Sequence, residues 1–314
     1  ALATSYATWA RPMLPVYLFY SMFGFQRVGD LTWALGDIRG RGILVGCTAG
    51  RTTLQGEGLQ HDDGHSPLLA STNPAARIYD PAFAYELAII VEEAVHRILG
   101  ERVEDRFFYI TLYNENYPMP ALPDGTEGQT VRTGILRGLY RFRPPVEGQA
   151  RRATILFSGP MWQVAEEARS VLADRFGVGC DTWSVTSWSE LRADALAVER
   201  QRRLHPHSEA AVPFVTERLG SGRDPVVAVT DYLCAVPDQV ARWVARPFTS
   251  LGTDGFGRSD SRPALRRYFE VDTAHVVIAV LSSLALHGQG DPAEVAKAIA
   301  LFGVDTDAPG PLEL

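Results

Sequence analysis

From residue 153 onward, short apolar and β-branched runs alternate with longer segments of helical period, and this alternation restricts the fold more than any other feature of the chain. The runs expected as strands cover 153–157, 181–186, 226–229 and 249–252. Helices are expected over 161–176, where Gly177 supplies the stop, and over 189–202, 238–245, 262–269, 274–287 and 292–301. A helix between two strands carries the chain back to the edge it started from, so successive strands run parallel. The second half therefore reads as a mostly parallel sheet with helices on its faces.

The first half follows the same logic less regularly. Strands are expected at 16–19, 43–45 and 107–112. The clearest helix should start at Asp80-Pro81, with Asp as N-cap and Pro at the first helical position, and carry Leu87, Val91, Val95 and Ile98 on one stripe up to Gly100. A polar, proline-rich loop is expected over 114–128. Between Arg132 and Arg152 stand six arginines, Pro144-Pro145 and Gly148, with Glu147 the sole acid, a pattern that reads as a solvated linker. The chain of 314 residues is about twice a 150-residue domain unit. The expected organisation is α/β with two doubly wound sheets, one domain over 1–147 and another over 148–314. The acidic, proline-containing tail 305–314 is expected to be loose.

Charge and cysteine content narrow the partners. Thirty basic against 37 acidic side chains leave a net charge of -7, the wrong sign for sequence-independent nucleic-acid binding. The longest mostly apolar stretch, 276–286, is shorter than the roughly 18–20 residues of a membrane-spanning helix, so no membrane partner is expected. Cys47, Cys180 and Cys234 are too few and too scattered for a disulfide framework, which points to the cytoplasm. The chain opens on Ala1 without an initiator Met, and is expected to be a piece of a longer protein.

Two segments could carry chemistry. Residues 50–65 hold Gly50, Gly56, Gly58 and Gly64 among Glu57, His61, Asp62, Asp63 and His65, without apolar periodicity. Glycines let a backbone approach a ligand closely, and the titratable groups suit proton transfer, but a solvated surface loop has the same composition. A metal bound through His61 and His65 would need a helix to bring both rings to one face, and Gly64 with its acidic neighbours opposes one, so no metal ligand is assigned. Residues 17–30 place Tyr17, Phe19, Tyr20, Phe23 and Phe25 ahead of Arg27 and Asp30. An aromatic ring at the carboxyl end of a strand can stack on a planar heterocycle, or it can pack in the core. The glycines of 252–260 lack the phosphate-loop spacing and read as a tight turn before the next helix.

Taken together, Tyr20-Ser21-Met22-Phe23-Gly24-Phe25-Gln26-Arg27, Gly50-Arg51-Thr52-Thr53-Leu54, Gly56-Glu57-Gly58-Leu59-Gln60-His61, Asp63-Gly64-His65 and Leu251-Gly252-Thr253-Asp254-Gly255-Phe256-Gly257-Arg258-Ser259-Asp260 resemble one family over nearly the whole chain. It is the homodimeric bacterial type of the thiamine-diphosphate-dependent, decarboxylating component of the pyruvate dehydrogenase complex. The resemblance implies the latter part of a pyrimidine-binding domain followed by a transketolase-like C-terminal domain. It implies that Phe23 stacks on the aminopyrimidine ring with Tyr20 beside it, that His61 faces the thiazolium carbon and the substrate, and that Glu57 lines the same wall. The activity implied is oxidative decarboxylation of pyruvate, with the two-carbon unit passed to a lipoyl acyltransferase.

The same resemblance implies that the glutamate activating the cofactor, and the residues holding Mg2+ and the diphosphate, belong to a region outside these 314 residues. A diphosphate-binding domain or subunit is then required, in a homodimer or a heterotetramer, and the chain alone should neither bind the cofactor tightly nor turn over. Two other readings remain open at this point. One is a subunit of a split transketolase-like enzyme that moves a two-carbon ketol unit from a ketose phosphate to an acyl carrier protein; the other is a non-catalytic dimerisation fragment.

Overall fold

The computed structural model describes residues 1–101, 103–208 and 211–313. It contains two sheets. The first comprises β1 (Val16–Tyr20), β2 (Gly42–Cys47), β3 (Ala76–Tyr79) and β4 (Phe107–Leu112), in the order β1-β2-β4-β3 and parallel throughout. The second comprises β5 (Tyr140–Arg143), β6 (Arg151–Phe157), β7 (Val178–Ser184), β8 (Val226–Val229) and β9 (Phe248–Leu251), in the order β5-β7-β6-β8-β9. All pairings in it are parallel except that of β5 with β7.

Two inner strands, β4 and β8, are the most apolar in sequence. Phe107 to Ile110 of β4 and all of β8 are buried, because a strand covered by helices on both faces has no polar side to show. Less legible were β3, four residues long with Arg77 inside it, and two helices, Phe25–Asp37 and Gly125–Arg137. The second of these starts in the last four residues of the segment expected as a loop, and Gly134 in it has a packing reason. A Cβ at Gly134 would stand 2.6 Å from the Cβ of Tyr140 and 2.7 Å from the Leu139 carbonyl oxygen, so only glycine lets the helix lie on the start of β5. The segment expected as a helix over 238–245 forms a 3-10 turn, Pro237–Trp243.

Asp80 does not cap a helix. The helix runs Ala84–Leu99, and Asp80 is buried below it, accepting hydrogen bonds from Thr111 Oγ1 at 2.7 Å and the Tyr113 hydroxyl at 2.6 Å. The N–H groups just ahead of the helix are taken by Glu86, whose Oε2 accepts from Ala82 N at 2.5 Å and Phe83 N at 3.1 Å. Its Oε1 accepts from the Tyr140 hydroxyl and Ser184 Oγ, each at 2.7 Å. Glu86 thus ties a helix of the first sheet to β5 and β7 of the second.

The arginine-rich stretch is built into the structure rather than into a linker. Arg137 meets Asp194 at 3.2 Å, Arg132 meets Glu92, Arg151 bonds Glu294 and the Phe176 carbonyl, and Arg152 donates to the Val146 carbonyl at 3.0 Å. Because β5 precedes position 147 and already belongs to the second sheet, we place the division between the sheets at Gly138, which ends the helix Gly125–Arg137 with φ 99°. The tail is exposed over 305–309, and Gly310, Pro311 and Leu312 border an open hollow of about 270 Å³ with Cys234, Gly252 and Asp254.

The helix Thr273–Leu286 buries Val276, Val277, Val280, Leu281 and Leu284 against the second sheet and the helix Trp162–Phe176. With Arg262–Tyr268 it makes a 25-residue stretch long and apolar enough to cross a membrane by length and composition alone, and about half of its apolar part is buried inside the protein. Glu270, with φ 57°, breaks that segment. By contrast, β1 is an edge strand with Val16, Tyr17 and Leu18 more than half exposed, and Leu31 and Trp33 of the helix Phe25–Asp37 are exposed nearby in sequence.

Replacing Glu86 by Ala leaves four donors without their acceptor and is expected to cost about 3 kcal/mol of unfolding free energy. A urea titration checks this; a loss under about 1 kcal/mol would mean that the donors find other partners.

Candidate active site

Both chemistry-bearing segments leave the carboxyl ends of adjacent parallel strands, where ligands sit in open α/β sheets. After Tyr20 the chain leaves β1 through the 3-10 turn Ser21–Phe23. After β2 it enters the glycine-rich loop. Gly50 adopts φ 80°, and a Cβ there would run into the carboxylate of Asp231, so the loop can start only with glycine. The loop closes on itself where Asp63 N donates to the Gly50 carbonyl at 3.1 Å, and His61 ends the turn Leu59–His61.

This folding brings together Tyr20, Phe23, Glu57 and His61. The rings of Tyr20 and His61 have centroids 5.3 Å apart, those of Phe23 and His61 5.2 Å at an edge-on 67°, and those of Tyr20 and Phe23 5.9 Å. Glu57 Oε2 stands 3.2 Å from His61 Nδ1, within ion-pair range but off the direction of a hydrogen bond. Beside the cluster an open cleft of about 880 Å³ passes from Leu59 along 256–260 to Tyr268. His65 does not join it: it caps the helix Ser66–Ala70, and burial lowers its pKa, with Asp63 opposing and Arg51 reinforcing the shift.

The two segments are clamped by Asp63, which is wholly buried. Its Oδ2 accepts from Ser21 Oγ and Ser66 Oγ, and its Oδ1 from Gln26 Nε2 at 2.6 Å, Ser66 N at 2.9 Å and His65 N at 3.1 Å. The Tyr109 hydroxyl, 2.7 Å from Ser66 Oγ, extends this network into β4.

The second domain supports the loop from below. The Arg51 guanidinium is buried and donates to the carbonyls of Thr253 and of Gly255, the latter at 2.6 Å. The segment 252–260 is therefore a buttress for the glycine-rich loop, with Gly56 N also donating to the Asp260 carbonyl at 3.2 Å. Asp231 accepts from Thr52 N at 3.0 Å, Arg262 Nε donates to the Thr53 carbonyl at 3.0 Å, and Arg266 pairs with Glu115. Asp62 is 1% exposed, packs against Gly257, and neither of its oxygens has a hydrogen-bond partner. Burial pushes its pKa up to about 7, with the Arg51 guanidinium and the Arg258 backbone opposing. Asp231 is likewise pushed up to about 7 by burial, against Arg266 and Thr52.

Comparison with known proteins places this geometry. The pyruvate dehydrogenase E1 component middle domain matches residues 1–120, and the transketolase-like C-terminal domain matches residues 138–272. The pyruvate dehydrogenase E1 component of Pseudomonas aeruginosa is 51% identical over all 314 residues, 35% of its own length; that of Mycobacterium tuberculosis is 50% identical over 99% of the chain and 33% of its own. The chain belongs to the pyruvate dehydrogenase E1 family. It spans about a third of the length of these relatives, and within the family it carries the middle and transketolase-like C-terminal domains. Transketolase from Campylobacter jejuni shares the fold, with a TM-score of 0.60 and 15% identity over 86% of this chain and 36% of its own. A split-gene transketolase, an inactive β4 tetramer, covers 87% of this chain and 77% of its own at a TM-score of 0.57 and 17% identity.

Between the ordinary value of 3.8 and about 7, the folded E1 chain keeps a proton on Asp62 that the unfolded chain has released, so this group lowers stability as pH rises through that interval. Asp62→Asn removes the effect. Its stability relative to the natural chain is expected to improve by on the order of 2 kcal/mol between pH 5 and pH 8, measured by denaturant unfolding at both. An equal difference at the two pH values would refute the assignment.

Proposed function

We propose that this chain forms the pyrimidine-side wall of a thiamine-diphosphate-dependent centre that decarboxylates pyruvate oxidatively and delivers the two-carbon unit to a lipoyl acyltransferase. The observation that carries it is the cluster of Tyr20, Phe23, His61 and Glu57 at the carboxyl ends of β1 and β2. The residues fit the heterocyclic end of that cofactor: Phe23 is half-buried and Tyr20 46% exposed, which leaves aromatic surface for a planar ring. They do not supply the other end. Among the described residues no group of three or more His, Cys, Asp or Glu is arranged to hold a metal ion, so Mg2+ and the diphosphate need a diphosphate-binding domain or subunit, within a homodimer or heterotetramer.

The cofactor, when bound, supplies the electron sink that decarboxylation requires. The chain's own side chains bind and move protons. Phe23 and Tyr20 offer stacking faces. His61, beside Glu57, is the imidazole of the cluster available for proton transfer. Burial of Asp63 and Arg51 fixes the position of this imidazole against the Ser21–Phe23 turn, so that proton transfer occurs at a set place.

Identity of 44–51% to pyruvate dehydrogenase E1 components, against 14–17% to transketolases, favours pyruvate over a ketose phosphate as substrate. A purely structural dimerisation role gives the His61 cluster no purpose. The three cysteines are unpaired, in keeping with a cytoplasmic enzyme.

In the natural full-length protein, His61→Ala is expected to lower kcat for pyruvate at least about 100-fold, while Phe23→Ala weakens thiamine diphosphate binding about tenfold. Steady-state kinetics and cofactor titration provide both readings. Unimpaired turnover of the His61 variant would overturn the proposal.

A further inference from the structure

One face of the second sheet holds a pocket that the proposed reaction does not use. It has a volume of about 300 Å³, runs from Arg152 and Thr154 of β6 across Gly179, Asp181 and Trp183 of β7, and is also lined by Arg141 of β5, Arg218 of the helix Phe214–Leu219 and Arg246 ahead of β9. Four guanidinium groups from four separate elements thus converge on one pocket of a chain whose net charge is -7. Like charges gathered this way repel, so their grouping needs a compensating anion.

The protein supplies two negative charges against these four positive ones. Two carboxylates line the pocket, Asp181 and Asp224. Asp181 already accepts from Thr154 Oγ1 and from the Trp183 indole N–H, both at 2.7 Å, and Arg141 reaches it at no better than 3.6 Å. Arg152 and Arg246 are pinned by backbone carbonyls, of Val146 at 3.0 Å and of Asp224 at 2.8 Å and Leu219 at 3.1 Å, which orient a guanidinium without cancelling its charge. Arg141 and Arg218 lie over the ring of Trp183 at 5.1 and 5.8 Å, and Arg218 Nε is buried with no hydrogen-bond partner. Burial lowers the pKa of Arg246, opposed by Asp181 and Asp224.

We propose that this pocket is a binding site for a small phosphate-bearing anion, held by Arg141, Arg152, Arg218 and Arg246 over the face of β6 and β7. Planar guanidinium forks match phosphate oxygens in pairs, which is the chemistry that a cluster of arginines rather than lysines serves. The volume is at the lower limit of about 300–1,000 Å³ for small-molecule sites, which suits a phosphate or diphosphate group better than a larger cofactor. The site is separate from the His61 cluster, which is supported at the carboxyl ends of β8 and β9 through Asp231 and Thr253.

The test is calorimetric titration of the natural full-length protein, saturated with thiamine diphosphate and magnesium so that a diphosphate site elsewhere is filled. Inorganic phosphate, pyrophosphate and ADP serve as separate titrants. Pyrophosphate is expected to bind in a salt-sensitive manner, and Arg152→Gln and Arg218→Gln each to weaken it about tenfold. Arg203→Gln, whose side chain is 68% exposed on the same domain, is expected to leave it unchanged. ADP binding tighter than pyrophosphate would make the ligand a nucleotide; equal affinities would make it the diphosphate group alone. Should one arginine variant fail to fold, the other carries the comparison. Equal pyrophosphate affinity in the natural protein and the arginine variants, or no binding to the natural protein up to about 10 mM at low ionic strength, overturns the proposal.

Discussion

Asp63 accepts hydrogen bonds from the turn after β1, from the helix that follows it and from the backbone of its own loop, all without contact with water. A buried carboxylate is tolerated when enough donors surround it, and removing any one of them leaves charge uncompensated. The clamp therefore makes the position of Phe23 depend on that of His61: neither turn can move without breaking bonds to Asp63. The Tyr109 hydroxyl, reached through Ser66, makes the floor of the clamp a strand of the central sheet.

The glycine-rich loop has almost no apolar packing of its own, and its order comes from the other domain. Arg51 extends into the 252–260 segment, Thr52 sits on Asp231, and Arg262 holds the Thr53 carbonyl. These contacts place three residues in succession on the second sheet, so the loop that presents His61 is as rigid as the interface between domains. Glu86 fastens that interface at a distance from the loop, through Tyr140 and Ser184. Two buried acids, Asp62 and Asp231, are left with pKa values near 7, which is the cost of assembling so polar a junction away from water.

Much of this was legible in the sequence, for a physical reason. β4, β8 and the helices of the second half have burial patterns that follow directly from apolar period. The helices with internal glycines were not legible, because Gly134 reports the closeness of Tyr140, a contact that no local pattern encodes. Asp80 illustrates the same limit: Asp-Pro has the chemistry of a helix start, but Thr111 and Tyr113 offer a buried acid better partners than a free helix end does. At the site, Tyr20, Phe23, Glu57 and His61 were singled out by resemblance, while their residue types alone left core packing and a solvated loop open. The supporting groups stayed hidden because they act over long separations, Ser21 to Asp63 across 42 positions and Arg51 to Thr253 across 202.

Tyr20 belongs at once to the aromatic cluster and to the edge strand β1. Parallel sheets are normally covered on both faces, and an edge with Val16, Tyr17 and Leu18 more than half exposed offers both free backbone groups and apolar side chains. Anything that covers β1 must reach the neighbourhood of Tyr20, and so of Phe23 and His61, whose rings lie within 6 Å of it. Within this chain, Asp63 and Arg51 hold the His61 loop against the turn that carries Phe23, so the exposed edge and the aromatic cluster share one rigid support.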